Sequence, residues 1–368
     1  MDDFPPPLDP AAPRPIKGRG AASNPEGRFE SVRHHAEDDG WQSALLDEDA
    51  PRPRTEVTAE RARSVISRND SPDIGFSQAI NPYRGCEHGC IYCYARPSHG
   101  YLNLSPGLDF ETRLRAKTNL AEVLRAELAR PGYVVSPINI GSNTDPYQPD
   151  EKRWRLTRAA LELLAECHHP CTIVTKNALV ERDLDILVPM AREHLVQVFV
   201  SINSLDNRLV AKLEPRASAP HRRVQALRAL TAAGVPAGVM VAPIIPALND
   251  RDLEAVLAAA SEAGASSAGY TTLRLPWELK ALFREWLALH APQRAEHVMS
   301  LVQQMNGGRD YDSDFATRMH GQGVFADLLR RRFDVACRKH GLNRARELEL
   351  DTSRFIAPRV ASAQGELF

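Results

Sequence analysis

The chain has 368 residues, of which 43% are apolar and 25% charged, with a net charge of −1. That composition excludes a fibre, a low-complexity tail and a short disulfide-knit module, and it leaves room for a large α/β core as one domain or two. The near-neutral balance also removes any whole-molecule attraction for phosphate backbones, so affinity for nucleic acid has to come from local patches.

The opening MDDFPPPLDP is acidic and proline-rich and lacks the cationic-then-apolar order of a secretory signal. Residues 1–75 scatter Pro, Gly, Arg and Asp with little hydrophobic periodicity and read as a largely disordered leader. Inside it, GRGAASNPEGRFE (18–30) has the apolar and aromatic punctuation to dock on a core, although a flexible segment is the favoured expectation. From Ile80 the texture changes to short apolar runs alternating with helical periodicity, which predicts βα units and a parallel sheet over 76–275. Segments 137–141, 171–176, 196–203, 238–243 and 268–273 read as strands, with a first strand around Ile80 and Tyr83. Leu156, Ala159, Ala160, Leu163 and Leu164 recur at helical spacing, as do Leu184, Leu187, Val188 and Ala191. Six such units predict a partial, open (β/α)6 TIM-like barrel, with chemistry on the loops at the C-terminal strand ends. Beyond 275 the pattern predicts helices over 277–290, 293–305 and 323–340, so 276–368 reads as a helical C-terminal extension and polar tail covering an open side of the barrel. The longest apolar stretch, 234–248, is interrupted by Pro236, Pro243 and Pro246 and is too short to span a membrane.

The chain has six cysteines, too few for a disulfide scaffold in this length, which points to a reducing cytoplasm. Three of them, Cys86, Cys90 and Cys93, fall within eight residues in NPYRGCEHGCIYCYARPSH, on a loop that directly follows the first predicted strand. Three soft ligands this close suit a 4Fe-4S cluster, which usually takes four thiolates; three leave one iron open for an exchangeable ligand. The competing expectations are a Cys3His zinc site completed by His88 or His99, and three cysteines that are merely neighbours. Zinc motifs usually pair a C-x-x-C with a second distant pair, and none is present. Cys167-His168-His169-Pro170-Cys171 also carries ligand-type residues, but it lies between a helix and the next strand, at the end opposite the predicted active face, and reads as structural. Cys337 reads as a buried small apolar residue of a terminal helix.

The C-x-x-x-C-x-x-C spacing, with an aromatic before the last cysteine, resembles the radical S-adenosylmethionine (SAM) superfamily. The resemblance implies that SAM chelates the open iron and that reductive cleavage releases methionine and a 5′-deoxyadenosyl radical, which abstracts hydrogen from a substrate. It implies too that Tyr92 packs beside the adenine and that an electron donor such as flavodoxin or ferredoxin reduces the cluster. Val174-Thr175-Lys176, Ser201-Ile202-Asn203-Ser204, Leu213-Glu214-Pro215 and Val241-Ala242-Pro243-Ile244 resemble the spore photoproduct lyase-like branch. By that likeness Lys176 and Ser201 help hold SAM, Lys176 through its ammonium on the methionine carboxylate, with Asn203 beside them. One loop departs from the branch: in Gly141-Ser142-Asn143-Thr144-Asp145-Pro146-Tyr147-Gln148-Pro149, Asn143 stands where spore photoproduct lyases carry the cysteine that returns a hydrogen atom. Ser142, Asn143 and Asp145 still place polar groups at a strand end where SAM or substrate binds, a plain turn being the alternative.

Three functions follow. A radical SAM enzyme acting on DNA or RNA is suggested by the clusters Lys152, Arg153, Arg155 and Arg216, Arg222, Arg223, Arg228. Modification of a peptide, protein or metabolite is the second, with Tyr311, Arg318 and His320 lining a pocket. A non-catalytic zinc- or cluster-binding structural or sensor protein is the third.

Overall fold

Apolar runs rich in Val and Ile, each followed by an amphipathic helix, bury one side of every strand under helices and favour parallel pairing. The computed structural model describes residues 13–29, 53–344 and 349–359. Its strands are β1 (Glu56–Glu60), β2 (Ile66–Arg68), β3 (Gln78–Ile80), β4 (Tyr83–Arg84), β5 (Arg113–Lys117), β6 (Ile138–Ile140), β7 (Cys171–Thr175), β8 (Val196–Ser201), β9 (Ala237–Ile244) and β10 (Ser267–Thr272). Strands β3, β6, β7, β8, β9 and β10 lie side by side in that order, all parallel, and β2 adds an antiparallel edge beside β3. The first and last parallel strands do not pair, so the structure is the expected open (β/α)6 barrel.

Helix α1 (Leu120–Leu128) follows β5, α2 (Leu156–Glu166) follows β6, α3 (Leu184–Arg192) follows β7, α4 (Asn207–Leu213) and α5 (Pro220–Ala232) both follow β8, and α6 (Leu253–Glu262) follows β9. Ile173, Val198, Val200, Val239 and Val241 are buried in one apolar cluster with Leu161, Leu164, Leu187, Leu227 and Leu257 of these helices. The alternate positions Thr172, Val174, Gln197, Phe199 and Met240 are only half-buried. Because strand side chains alternate faces, this second row lines the barrel interior. Among the described residues no helix is long and apolar enough to cross a membrane.

The extension has α7 (Leu279–His290), α8 (Ala295–Met305) and α9 (Gly323–His340), close to the predicted spans. Between α8 and α9 the chain runs along the free edge of β10, where Thr272 N donates to Met319 O at 2.8 Å. There Arg318 forms a bidentate pair with Asp73, from the β2–β3 connection, at 2.5 and 2.6 Å. This pair links the two free edges of the open barrel. His320 packs its ring 4.7 Å from Tyr270, so Arg318 and His320, expected to line a pocket, serve this closure instead.

Two stretches of the segment assigned no fold are structured. Residues 13–29 lie along the cysteine loop, and 53–75 supply β1 and β2. Strand β1 pairs in parallel with β5, which pairs antiparallel with β4, making a second, three-stranded sheet. Ile80 and Tyr83, expected in one strand, therefore belong to different sheets; Asn81 and Pro82 between them turn the chain from the barrel into the cysteine loop. The remainder of the predicted leader, and the tail beyond residue 359, lie outside the described residues.

Candidate active site

The cysteine loop leaves the C-terminal end of β3 through β4 and wraps into a 3-10 turn at Arg96–Leu102. Gly85 and Gly89 adopt φ of +77° and +66°, the left-handed region that side-chain-bearing residues resist. A fully buried guanidinium holds the wrap: Arg96 donates to the carbonyls of Cys90 (2.8 Å), Gly89 (3.0 Å), Pro106 (3.1 Å) and Gly107 (2.7 Å), and to Glu111 Oε1 (2.9 Å). Glu111 also accepts from Gly20 N and Ala21 N at 3.0 and 2.9 Å, and its carbonyl accepts from Arg19. Residues 19–21 are thus pressed against the loop and bonded to the same carboxylate that anchors it.

Cys86 and Cys90 are buried and Cys93 is half-buried. Burial pushes the Cys86 and Cys90 thiols well above their ordinary range, and neighbouring acidic groups and thiols add to the shift for both. Such thiols become thiolates only when a cation compensates them, which is what bound iron supplies. The two histidines available for a zinc site are engaged elsewhere. His99 Nε2 lies 3.0 Å from Arg113 O, and burial holds the ring down at about 4. His88 sits between Asp145 Oδ2, 3.4 Å away, and Asn177 Nδ2, 3.1 Å away. Among the described residues no three His, Cys, Asp or Glu side chains converge on one point as a single metal ion requires.

Several polar groups of the 141–149 loop grip the cysteine loop. Thr144 Oγ1 donates to Gly85 O (2.7 Å), Gln148 Oε1 accepts from Glu87 N (2.8 Å), Asn143 Nδ2 donates to Ser98 Oγ (3.1 Å), and the Tyr94 hydroxyl donates to Ser142 O. Asp145 joins this loop to the end of β7, accepting from Thr175 Oγ1 (2.7 Å) and Lys176 N (2.8 Å). Burial alone would raise its carboxyl, but His88 and these donors bring it down to about 2.

The candidate SAM contacts sit on the inward row. Lys176 is two residues beyond Val174, and Ser201 and Asn203 continue the row of Gln197 and Phe199. The Lys176 ammonium is 6.0 Å from the Tyr92 ring centroid, and Asn203 Nδ2 donates to the Tyr92 hydroxyl at 3.4 Å. Asn203 Oδ1 is buried and has no hydrogen-bond partner among the described residues. Tyr92 donates its hydroxyl proton to buried Glu214, which pairs with buried Arg223, which in turn donates to Ser201 O at 3.0 Å. Ser142 lies on the neighbouring loop, accepting from Asn81 Nδ2 at 3.1 Å. The structure therefore brings Tyr92, Lys176, Ser201 and Asn203 together beside the cysteines, with Ser142 on the adjoining rim.

The chain's residues 80–260 match the family model described as the Radical SAM superfamily. It is 38% identical over 232 residues to the uncharacterized protein Rv2578c of Mycobacterium tuberculosis, an overlap of 62% of this chain and 68% of that protein. This chain belongs to the radical SAM superfamily. It is also 28% identical over 197 residues to the uncharacterized protein MJ0683 of Methanocaldococcus jannaschii, covering 54% of this chain and 71% of that one. Among solved structures, a cysteine-to-alanine mutant of spore photoproduct lyase superposes with a TM-score of 0.52 at 18% identity, over 78% of this chain and 80% of the other, which is a likeness of fold. The chain is thus a radical SAM enzyme, and the superfamily implies a 4Fe-4S cluster and SAM.

Sequence reasoning gave no supporting role around this candidate site to Arg96, Glu111 or Arg223, and quoted Glu214 only within a resembling motif. Buried charges at separations such as 91 residues, between Gly20 and Glu111, leave no local pattern. The presence of Arg223 in a proposed basic patch is corrected by its burial against Glu214. Arg216 of the same patch pairs with Glu87 at 2.7 Å, and Arg222 faces Glu181 at 3.6 Å. Cys167–Cys171 is structural, at the N-terminal end of β7: His169 is buried against Tyr133 and Phe355, and His168 pairs with Glu193 at 2.6 Å.

Proposed function

We propose that Cys86, Cys90 and Cys93 hold the 4Fe-4S cluster and that SAM binds between it and the inward row formed by Lys176, Ser201 and Asn203. The observation that carries this is the meeting of the cysteine loop with that row at the C-terminal end of the barrel, around Tyr92. When bound, the cluster and SAM supply the reductive sulfonium cleavage that yields methionine and a 5′-deoxyadenosyl radical. The chain's own residues do the rest. The Lys176 ammonium faces an anionic carboxylate, and Asn203 Oδ1, buried and without a partner among the described residues, accepts a hydrogen bond from the cofactor. The Tyr92–Glu214–Arg223 chain keeps the ring and the Ser201 strand end in place, and the wrapped loop keeps water from the thiolates.

An acidic one-electron carrier, flavodoxin or ferredoxin, is the donor in this proposal, and six unpaired cysteines agree with a reducing cytoplasm. For the substrate we favour nucleic acid, because Lys152, Arg153 and Arg155 are exposed directly after the loop that frames the site. Thymine-dimer reversal is not proposed: Asn143 offers only strong N–H bonds where that chemistry uses a thiol. The test is anaerobic reconstitution followed by dithionite and SAM, with 5′-deoxyadenosine as the product measured. Product that disappears in Cys90→Ala supports the assignment; zinc in place of iron, or a reducible cluster that does not bind SAM, overturns it.

A further inference from the structure

On the flank of the barrel, α4, the loop leading into α6 and the α7–α8 junction enclose a groove of about 450 Å³. Its floor is apolar and fixed. Leu248 and Trp286 belong to the cluster that also contains Cys90, Ile91 and Tyr92, and Trp286 Nε1 donates to Lys212 O at 3.1 Å, locking α4 to α7. Its rim is cationic, with Arg208, Lys212, Arg251 and Arg294 against the single acid Asp206. Arg251 faces Asp206 and Asp252 at 3.6 and 3.7 Å. Arg208, Lys212 and Arg294 are exposed and have no acidic partner among the described residues; Arg294 Nη1 donates to Ala247 O at 3.5 Å. His290 lines the same groove without adding an acid.

Three cations without an acidic partner among the described residues line one partly apolar groove in a chain of net charge −1, a local positive field that an anion relieves. Guanidinium forks and an ammonium suit phosphate oxygens best, Arg by paired hydrogen bonds and Lys as a point charge. We propose that this groove binds a phosphate-bearing ligand at a site separate from the SAM pocket. The proposal stands independently of which substrate the radical chemistry takes.

The test uses the full chain with two probes in low salt: inorganic pyrophosphate by calorimetry and a fluorescein-labelled oligothymidylate by anisotropy. At least one binds, and the double variant Arg208→Glu, Lys212→Glu weakens it by about tenfold or more while the melting temperature is unchanged, since both side chains are on the surface. The oligonucleotide, neutralised by three cations, shows a slope of log K on log salt of about −2, shallower in the variant. Arg338→Glu, an exposed charge reversal on α9 outside the groove, leaves binding intact. Pyrophosphate binding alone assigns a small phosphorylated ligand, and oligonucleotide binding assigns a strand. Failure of both probes to bind, or an equal loss in Arg338→Glu, overturns the proposal.

Discussion

Gly20→Ala adds one methyl group to the segment that clasps the cysteine loop, and the structure leaves it no room. The new Cβ falls 1.8 Å from Gly89 O and 3.3 Å from Ile91 N, where ordinary contact is about 3.5–4 Å. Relief comes in one of two ways. The loop shifts at Gly89, next to Cys90, against the Arg96 bond to Gly89 O at 3.0 Å; overpacking of this kind costs about 1–3 kcal/mol. Alternatively residues 19–21 lift away and two amide bonds to the Glu111 carboxylate are lost, at about 1.5–3 kcal/mol each, or about 3–6 kcal/mol together. The cheaper route wins, so the expected loss is about 1–3 kcal/mol, a fall of several degrees in melting temperature. It is taken up beside Cys90, proposed above to hold the cluster, so iron retained per chain after reconstitution falls as well. Gly75→Ala is the control, because nothing lies within 4 Å of its added Cβ. Calorimetric melting and iron analysis of both variants decide the matter: a Gly20→Ala protein that matches wild type in both refutes the clasp.

Arg223→Met leaves Glu214 charged and buried without its partner, which costs about 3–5 kcal/mol by denaturant midpoint. Adding Glu214→Leu to that variant restores most of the loss, whereas a single-variant cost under about 1 kcal/mol would show the pair to be dispensable. The Arg318–Asp73 strap predicts a pH dependence. Hydrogen bonds from Arg318 hold the Asp73 carboxyl below its ordinary value against the opposing effect of burial. A depressed folded pKa stabilises above the unfolded value of about 3.9 and ceases to do so as pH falls through the folded one. Asp73→Asn should therefore melt lower than wild type at about pH 6 and converge with it in acid; a gap that persists below both values contradicts the assignment.

Much of the site was legible because its chemistry is local. Cys86, Cys90 and Cys93 lie within eight residues, and the loop that carries them follows a strand directly. Helical and strand periods are equally local, so the βα repeat behind the six parallel strands and the spans of α7, α8 and α9 could be read from repeating apolar positions. Lys176, Ser201 and Asn203 were named through the resemblance of their strand ends to the spore photoproduct lyase-like branch, and the inward row on which they lie became visible only in the fold.

Residues 13–29 and 53–75 show where this stops. Their low periodicity suggested a loose leader, yet they are held by single hydrogen bonds to Glu111 and by a three-stranded sheet in which Glu56 of β1 meets Arg113 of β5, far along the sequence. Charge read in one dimension misled in the same way. Arg223 reads as part of a basic cluster until the fold brings the Glu214 carboxylate and the carbonyls of Ser201 and Ser218 against it. Sequence by itself determined the three-cysteine motif, the βα repeat and the end of the barrel on which they meet, because each depends on neighbours a few residues apart. Only tertiary structure decided what holds the cysteine loop, how the barrel's open edges are linked and which cations line the Arg208–Lys212–Arg294 groove. Those depend on buried polar groups finding partners far along the chain, and such pairing leaves no periodic trace.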